Sequence, residues 1–426
     1  MGAPHPLVVR TVPLDLPAAG DALDLLALLP SDSPLAWVRR GDGLVAWGEA
    51  ARIEVSGPSR FADAEAAWRD LAAHTVVRDE VGAPGTGPVA FGSFSFDDDS
   101  AVGGVLVVPR VVVGRRGGRA WLTTLSPAGD LADPPNPDAV RPADEPAAPG
   151  AMTQADGALA PAAWGDAVRD ALAAIRRGEV DKVVLARDVV ATAARPVDVR
   201  WVARRLADRY AATWTFAVDG LVGATPELLV RSEKGLVTSR VLAGTIRRTG
   251  DDEADMAHAA ILAHSSKDLE EHEYAVASVA AALEPFCSSA NVPDVPFVLS
   301  LPNVLHLATD VTGVLRPDEP HPSSLALAAA LHPSAAVCGT PTGAARDVIH
   351  AVEQMDRDRY AGPVGWLGAD GDGEWGIALR CGRVDRADER RVRLFAGCGV
   401  VAASDPEAEL AESEAKLEPM RWALGL

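Results

Sequence analysis

Arg391-Val-Arg-Leu-Phe-Ala-Gly-Cys-Gly-Val-Val-Ala-Ala-Ser-Asp-Pro-Glu-Ala-Glu-Leu-Ala-Glu-Ser-Glu-Ala-Lys416 changes its period halfway along. At the start, Val392 and Leu394 alternate with Arg391 and Arg393, the spacing of a strand with one exposed face. Further on, Ser404 followed three residues later by Glu407 predicts a capping box, with Pro406 in the first helical turn where it is tolerated. Between the two lies Ala396-Gly-Cys-Gly399. It predicts a tight turn whose backbone N–H groups cradle an anion, or one that simply needs positive φ. Strand, turn and helix in direct succession indicate a mixed α/β (α+β) chain.

Neighbouring segments extend this pattern. Trp164, Val168, Leu172 and Ile175 recur at helical spacing. Val183-Val-Leu-Ala186 is a strand, and Glu253 to Leu283 reads as one or two helices with Val276, Val279 and Leu283 on one stripe. Nearer the N-terminus, Val105 to Pro109 and Val111 to Gly114 are strands, and Phe91 to Asp97 is an aromatic segment at a strand end. Residues 126–157 are rich in Pro, Ala, Asp and Gly, a composition that excludes a helix or a central strand. They divide the chain into an N-terminal lobe over 1–125, a surface linker over 126–157 and a C-terminal region over 158–426.

Composition excludes several classes of function. With 426 residues and 48% apolar side chains, the chain can bury a large core. Its 60 acidic and 40 basic residues give a net charge of −20, against a nucleic-acid-binding surface, which needs clustered Lys and Arg. Cys287, Cys338, Cys381 and Cys398 form no Cys-x-x-Cys pair and read as small buried residues. Met1 to Pro13 lacks a signal-peptide core, and no apolar run is long enough to span a bilayer. A soluble cytoplasmic protein is expected.

Four features can carry chemistry. Asp268 and Glu271, three apart, share a helix face, as do Glu409 and Glu412. Two such helices facing each other would offer oxygen ligands to a hard cation; alternatively they are solvated faces with ion pairs such as Glu412 to Lys416. The Gly-x-Gly segment is the second feature. Lys182 stands at the entrance to a strand, where a desolvated amine can act as a base. Glu227, in Gly223-Ala-Thr-Pro-Glu227, can be presented into a cleft by the turn before it, or stand in water.

Together with five further segments these form eight blocks in order: Asp181-Lys-Val-Val-Leu-Ala-Arg187, Gly223 to Glu227, Leu242-Ala-Gly-Thr245, Lys267-Asp-Leu-Glu-Glu-His272, Leu331-His-Pro-Ser-Ala-Ala-Val-Cys-Gly339, Tyr360-Ala-Gly-Pro-Val-Gly-Trp366, Gly373-Glu-Trp-Gly-Ile-Ala-Leu-Arg380, and Leu394 through Lys416. The series resembles the chorismate-binding enzyme family over residues 160–426, and only loosely before that. Ser334-Ala-Ala336 stands where the family commonly has Thr-Pro-Ala, and Ser266 where it has Glu.

The resemblance implies the two-lobed fold of the anthranilate synthase large subunit, with the active site between the lobes, and chorismate as substrate. It implies Mg²⁺ held by Glu271 and Glu412, with Asp268 and Glu409 beside them. Arg380 and Tyr360 would bind the enolpyruvyl carboxylate, helped by amides near Gly397 and Gly399. Thr245 and Lys416 would also contact the substrate. His332 would touch a substrate carboxylate or satisfy a buried backbone group. Lys182 would deprotonate a water attacking C2, and Glu227 would protonate the leaving C4 hydroxyl. That pairing requires a neutral Lys182 and a protonated Glu227, which burial would have to supply.

Within the family, Lys182 and Cys338-Gly-Thr-Pro-Thr342 resemble the members that form isochorismate, for menaquinone or siderophore synthesis. Anthranilate synthases lack this lysine, use ammonia and depend on a glutaminase partner, so none is expected here, and a monomer or weak homodimer is. Salicylate formation, with pyruvate lost from isochorismate, is the alternative. A non-catalytic chorismate-binding protein is a further one.

Overall fold

The computed structural model describes residues 6–15, 24–127, 135–317 and 321–426. Two large sheets dominate it. One has thirteen strands and the other ten among the described residues. Neighbouring strands run antiparallel except for Leu7–Leu14 and Val76–Asp79 at one edge. Helices cover the sheets, so the mixed α+β expectation holds, but the helices join antiparallel strands rather than parallel βαβ units.

In the larger sheet Lys182–Ala193 pairs with Arg391–Val400 over ten residues, from Val183 opposite Val400 to Thr192 opposite Arg391. Both strands are almost wholly buried. A sheet buried on both faces needs no polar alternation, which is why Val183-Val-Leu-Ala186 is a continuous apolar run. Trp164, Val168 and Leu172 lie on the buried face of the helix Pro161–Arg176, and the Trp164 indole donates to Ala186 O at 3.0 Å. That helix packs on the C-terminal helix Pro406–Leu424.

In the smaller sheet Leu236–Arg247 lies between Leu228–Glu233 and Val304–Leu315. Its pairing with Val304–Leu315 shifts register between Ala243 and Thr245, a bulge at Gly244 where φ is +79°. The stretch from Glu253 to Leu283 is two helices, Asp252–His264 and Ser266–Leu283. They break at Ser265, whose side chain accepts from Asp268 N and caps the second.

Both sheets draw strands from either side of residues 126–157. Trp214–Val218 pairs with Leu35–Arg39 in one, and Pro363–Gly368 with Val89–Phe94 in the other. The boundary at 126–157 therefore separates stretches of chain and does not separate cores; one hydrophobic cluster joins Trp37, Phe91, Trp164 and Trp375. The described part of the segment also holds regular structure. Met152–Asp156 forms the edge strand beside Val189–Ala193, the position its proline-rich surroundings permit. Residues 128–134, including Pro134, lie outside the described residues. All four cysteines are buried and free, as expected.

Because strands are shared in this way, a fragment beginning at Ala158 leaves Trp214–Val218 and Pro363–Gly368 each with one edge unpaired, Leu35–Arg39 and Val89–Phe94 being lost. Such a fragment is expected to show no cooperative transition in denaturant by circular dichroism. A sharp two-state transition in the fragment would mean that the C-terminal region forms its own core.

Candidate active site

One cavity draws its lining from both sheets and from the helix Ser266–Leu283. It is bounded by Val184 and Ala186, by Glu227, by Leu242 to Thr245, by Glu271 and His306, by Ala336 and Val337, by Tyr360 and Arg380, and by Gly397, Gly399 and Lys416. Of the residues singled out in the sequence, Glu227, Thr245, Glu271, Tyr360, Arg380, Gly397, Gly399 and Lys416 are in that lining. Lys182 and Glu412 stand immediately behind it, through contacts with Glu271 and Lys416 respectively.

Gly397 and Gly399 correct the expectation of a turn. Both lie inside the strand Arg391–Val400, opposite Ala186 and Val184, and neither has positive φ. Glycine is required there by close approach. A Cβ on Gly399 would sit 2.1 Å from Glu271 Oε1 and 3.1 Å from Lys182 Cε. One on Gly397 would sit 2.6 Å from Leu185 O. The helix that follows is capped by Asp405 rather than Ser404, its carboxylate accepting from the Glu407 and Ala408 amides. Pro406 at the first helical position makes the residue before it the cap. Ser404 Oγ instead accepts from Val401 N at 3.1 Å.

Lys182 opens its strand with a fully buried side chain. Its Nζ lies 3.3 Å from Glu271 Oε1 and 3.4 Å from Glu271 O. Glu227 follows the strand Leu221–Thr225 after Pro226 and is 4% exposed, so it is not a solvated turn carboxylate. Burial pushes its carboxyl up to about 8, against a hydrogen bond from the Leu242 amide and the positive charges of Lys182 and Arg380. Near neutral pH it is therefore an acid that still carries its proton.

Four carboxylates gather between the helices Ser266–Leu283 and Pro406–Leu424, and three lysines hold them. Lys182 pairs with Glu271, Lys267 Nζ lies 2.6 Å from Glu409, and Lys416 Nζ 2.5 Å from Glu412. Asp268 bonds to the Ser265 hydroxyl. Burial, and then the nearby carboxylates, raise Asp268 and Glu409 above the ordinary carboxylate range. Burial alone would also raise Glu271, but the Lys182, Lys416 and Lys267 charges outweigh it and hold that carboxyl low. Oxygen-only donors whose mutual repulsion the lysines relieve only in part suit a hard divalent cation. Among the described residues, the only three potential ligand groups whose atoms lie within 4.8 Å of one another are Asp97, Asp99 and His350, elsewhere in the fold.

On the opposite side, Arg380 is buried at φ +49° with a terminal nitrogen 3.1 Å from His306 Nε2. Arginine only donates, so His306 Nε2 accepts and its proton sits on Nδ1, 3.0 Å from Thr245 Oγ1 and 3.3 Å from Gly244 O. Burial and the Arg380 charge push His306 well below its ordinary value, keeping it neutral. Tyr360 stacks on Phe395 with ring centroids 5.2 Å apart. Lys416 Nζ also donates to Gly397 O at 2.9 Å.

The histidine expected at the site is elsewhere. The His332 ring donates from Nε2 to Phe96 O, 2.9 Å away, and packs against Phe61 and Phe96, outside this cavity. Of its two expected roles, the structure assigns it the backbone partner. His306 occupies the place by Arg380 that sequence reasoning overlooked. Its signal was a histidine in an otherwise apolar run, Val304-Leu-His-Leu-Ala308, in the middle of a buried strand.

The pattern of the chorismate binding enzyme family matches residues 36–425. The isochorismate synthase DhbC of Bacillus subtilis is 41% identical over 277 residues, covering 62% of this chain and 68% of that protein. Among solved structures, MenF, the menaquinone-specific isochorismate synthase from Escherichia coli, superposes with a TM-score of 0.79 at 25% identity, over 99% of this chain and 95% of that one. Anthranilate synthase component I from Streptococcus pneumoniae shares the fold, with a TM-score of 0.69 at 19% identity over 89% of this chain and 91% of that one.

The contact at position 399 generates a prediction. Gly399→Ala forces the Glu271 carboxylate and Lys182 away from the strand, an overpacking cost of about 1–3 kcal/mol. Denaturant unfolding should show that loss; unchanged stability would mean that the helix Ser266–Leu283 moves freely with respect to the strand.

Proposed function

This chain belongs to the chorismate binding enzyme family, and from that premise we propose that it is an isomerase converting chorismate to isochorismate by adding water at C2 and expelling the C4 hydroxyl. The observation that carries the proposal is a buried lysine amine, Lys182, directly behind a cavity that is lined by a carboxylic acid, Glu227, raised to about 8. Hydroxide is a poor leaving group, so the reaction needs an acid at the departing oxygen and a base at the incoming water. Lys182, which must first give up the proton it shares with Glu271, takes a proton from water as its oxygen bonds to C2. The ring double bonds shift, the C4–O bond breaks, and Glu227 delivers its proton to the departing oxygen. One water is consumed and one released, so atoms balance.

The substrate is a dicarboxylate, and the lining supplies opposite charge. Arg380, with Tyr360 beside it, takes the enolpyruvyl carboxylate through a planar fork of donors. Thr245 and Lys416 complete the contacts, helped by backbone amides near Gly397 and Gly399. Neutral His306 fixes the Arg380 guanidinium through its Nε2 acceptor. Glu271 and Glu412, with Asp268 and Glu409 beside them, would hold Mg²⁺. When bound, such an ion would supply positive charge to offset that of the ring carboxylate and of the shifting diene. With water as nucleophile, no glutaminase partner is required. No described helix is long and apolar enough to cross a membrane.

The test is to incubate the protein with chorismate and Mg²⁺ and separate the products by chromatography. Isochorismate should form, fail to form with EDTA, and fall by about 10²–10⁴-fold in Lys182→Ala and Glu227→Gln. Salicylate with pyruvate would assign the lyase reaction to the same residues. Bound but unconverted chorismate would overturn the enzyme reading.

A pH profile tests Glu227 separately. It must be protonated to act, and its protonated form predominates below about 8, so kcat/KM should fall as pH rises through that value. A rate that stays level well above pH 8 would remove Glu227 from the acid role.

A further inference from the structure

Arg357, in the lining of the cavity, belongs to a charged pair that the chemistry above does not use. Glu353 ends the helix Thr342–Val352, and Arg357 follows one turn later; each is 1% exposed. Arg357 Nε donates to Glu353 Oε2 at 2.9 Å and another of its nitrogens to Oε1. The same guanidinium donates to Val337 O at 2.8 Å and to Val184 O at 2.7 Å, and lies 4.3 Å above the Phe96 ring. Glu353 Oε1 in turn accepts from Ala186 N at 2.7 Å.

These partners lie on the two walls of the cavity. Val184 and Ala186 are on the Lys182–Ala193 strand, and Val337 is on the segment before Gly339–Thr340. That segment pairs with the strand only at Lys182 and Val183, and Val184 N reaches Cys338 O at 2.7 Å. Beyond Val184 the backbone partner turns away, and the side chains of Glu353 and Arg357 replace it, taking the next carbonyl and the next amide on that edge. A buried ion pair adds little net stability over apolar side chains of similar volume. Its value here is geometric, because one rigid fork grips both walls at once.

We propose that the Glu353–Arg357 pair is a positioning device that sets the width of the reaction cavity, holding Val184 and Ala186 against Val337 and so fixing the strand that carries Lys182. This rests on reading the cavity as the place where chorismate is converted. The device acts through the walls and takes no part in bond making.

Arg357→Lys retains the charge but cannot grip two carbonyls and both carboxylate oxygens. It is expected to keep a melting temperature near that of the parent, to leave KM within about twofold, and to lose about tenfold or more in kcat, the scale of a small misplacement of reacting groups. Glu353→Gln retains an acceptor for Ala186 N and should keep most of kcat, whereas Glu353→Ala should lose it. A readout independent of turnover is amide hydrogen exchange at Ala186, which should quicken in Glu353→Ala and stay slow in Glu353→Gln. Parent-like kcat in Arg357→Lys and Glu353→Ala, or a kcat loss that only follows a fall in melting temperature, would overturn the proposal. Failure of the parent itself to convert chorismate would instead overturn the functional reading, and the exchange result would still show whether the pair holds the strand.

Discussion

The hydrogen that takes the place of a side chain at position 399 lets the Glu271 carboxylate rest against the backbone of the Arg391–Val400 strand. That contact brings a helix, Ser266–Leu283, against a strand at a distance no side chain would permit. Lys182, opening the adjacent strand, is drawn into the same gap and reaches Glu271. A second approach of the same kind occurs at Gly244, where a Cβ would lie 2.9 Å from the Cβ of Asp268. The two glycines crowd the same face of the first turns of one helix and thereby place its carboxylates. The base, the cation-binding acids and the cavity wall are consequences of these two contacts.

Charge then decides what this enclosed space can bind. Four carboxylates meet three lysines around the two helices, while Arg380 stands across the cavity against a neutral histidine. Attraction between lysine and carboxylate offsets part of the cost of burying them, and the raised Asp268 and Glu409 show that the offset is incomplete. Among the described residues Glu227 has no ion-pair partner, and burial raises it. Two carboxyl-bearing residues, Glu227 and Glu271, therefore behave oppositely in one cavity because one faces a lysine at 3.3 Å and the other does not.

Much of this was legible in the sequence where a local signal coincided with the structure. The helix at Trp164, the strand at Val183 and the C-terminal helix follow from periodicity and from Pro406. The order of motifs singles out Glu227, Thr245, Glu271, Tyr360, Arg380 and Lys416, all of which line one cavity. What depended on distant packing was not legible. A Gly-x-Gly reads as a turn until the partner that crowds it is known, and here the partner is Glu271, far away in the chain. His332 and His306 both sit in apolar surroundings, and nothing local tells which one meets Arg380. The sharing of strands across residues 126–157 is likewise invisible, because sheet pairing between distant segments leaves no local trace.

The central claim is that water, activated at Lys182, is the nucleophile. Conversion of chorismate in ¹⁸O-enriched water, followed by mass spectrometry of isochorismate, tests it most directly. Water addition at C2 with loss of the C4 hydroxyl places one heavy oxygen in the product at the enrichment of the solvent. An unlabelled product, with the original hydroxyl moved from C4 to C2, would contradict it.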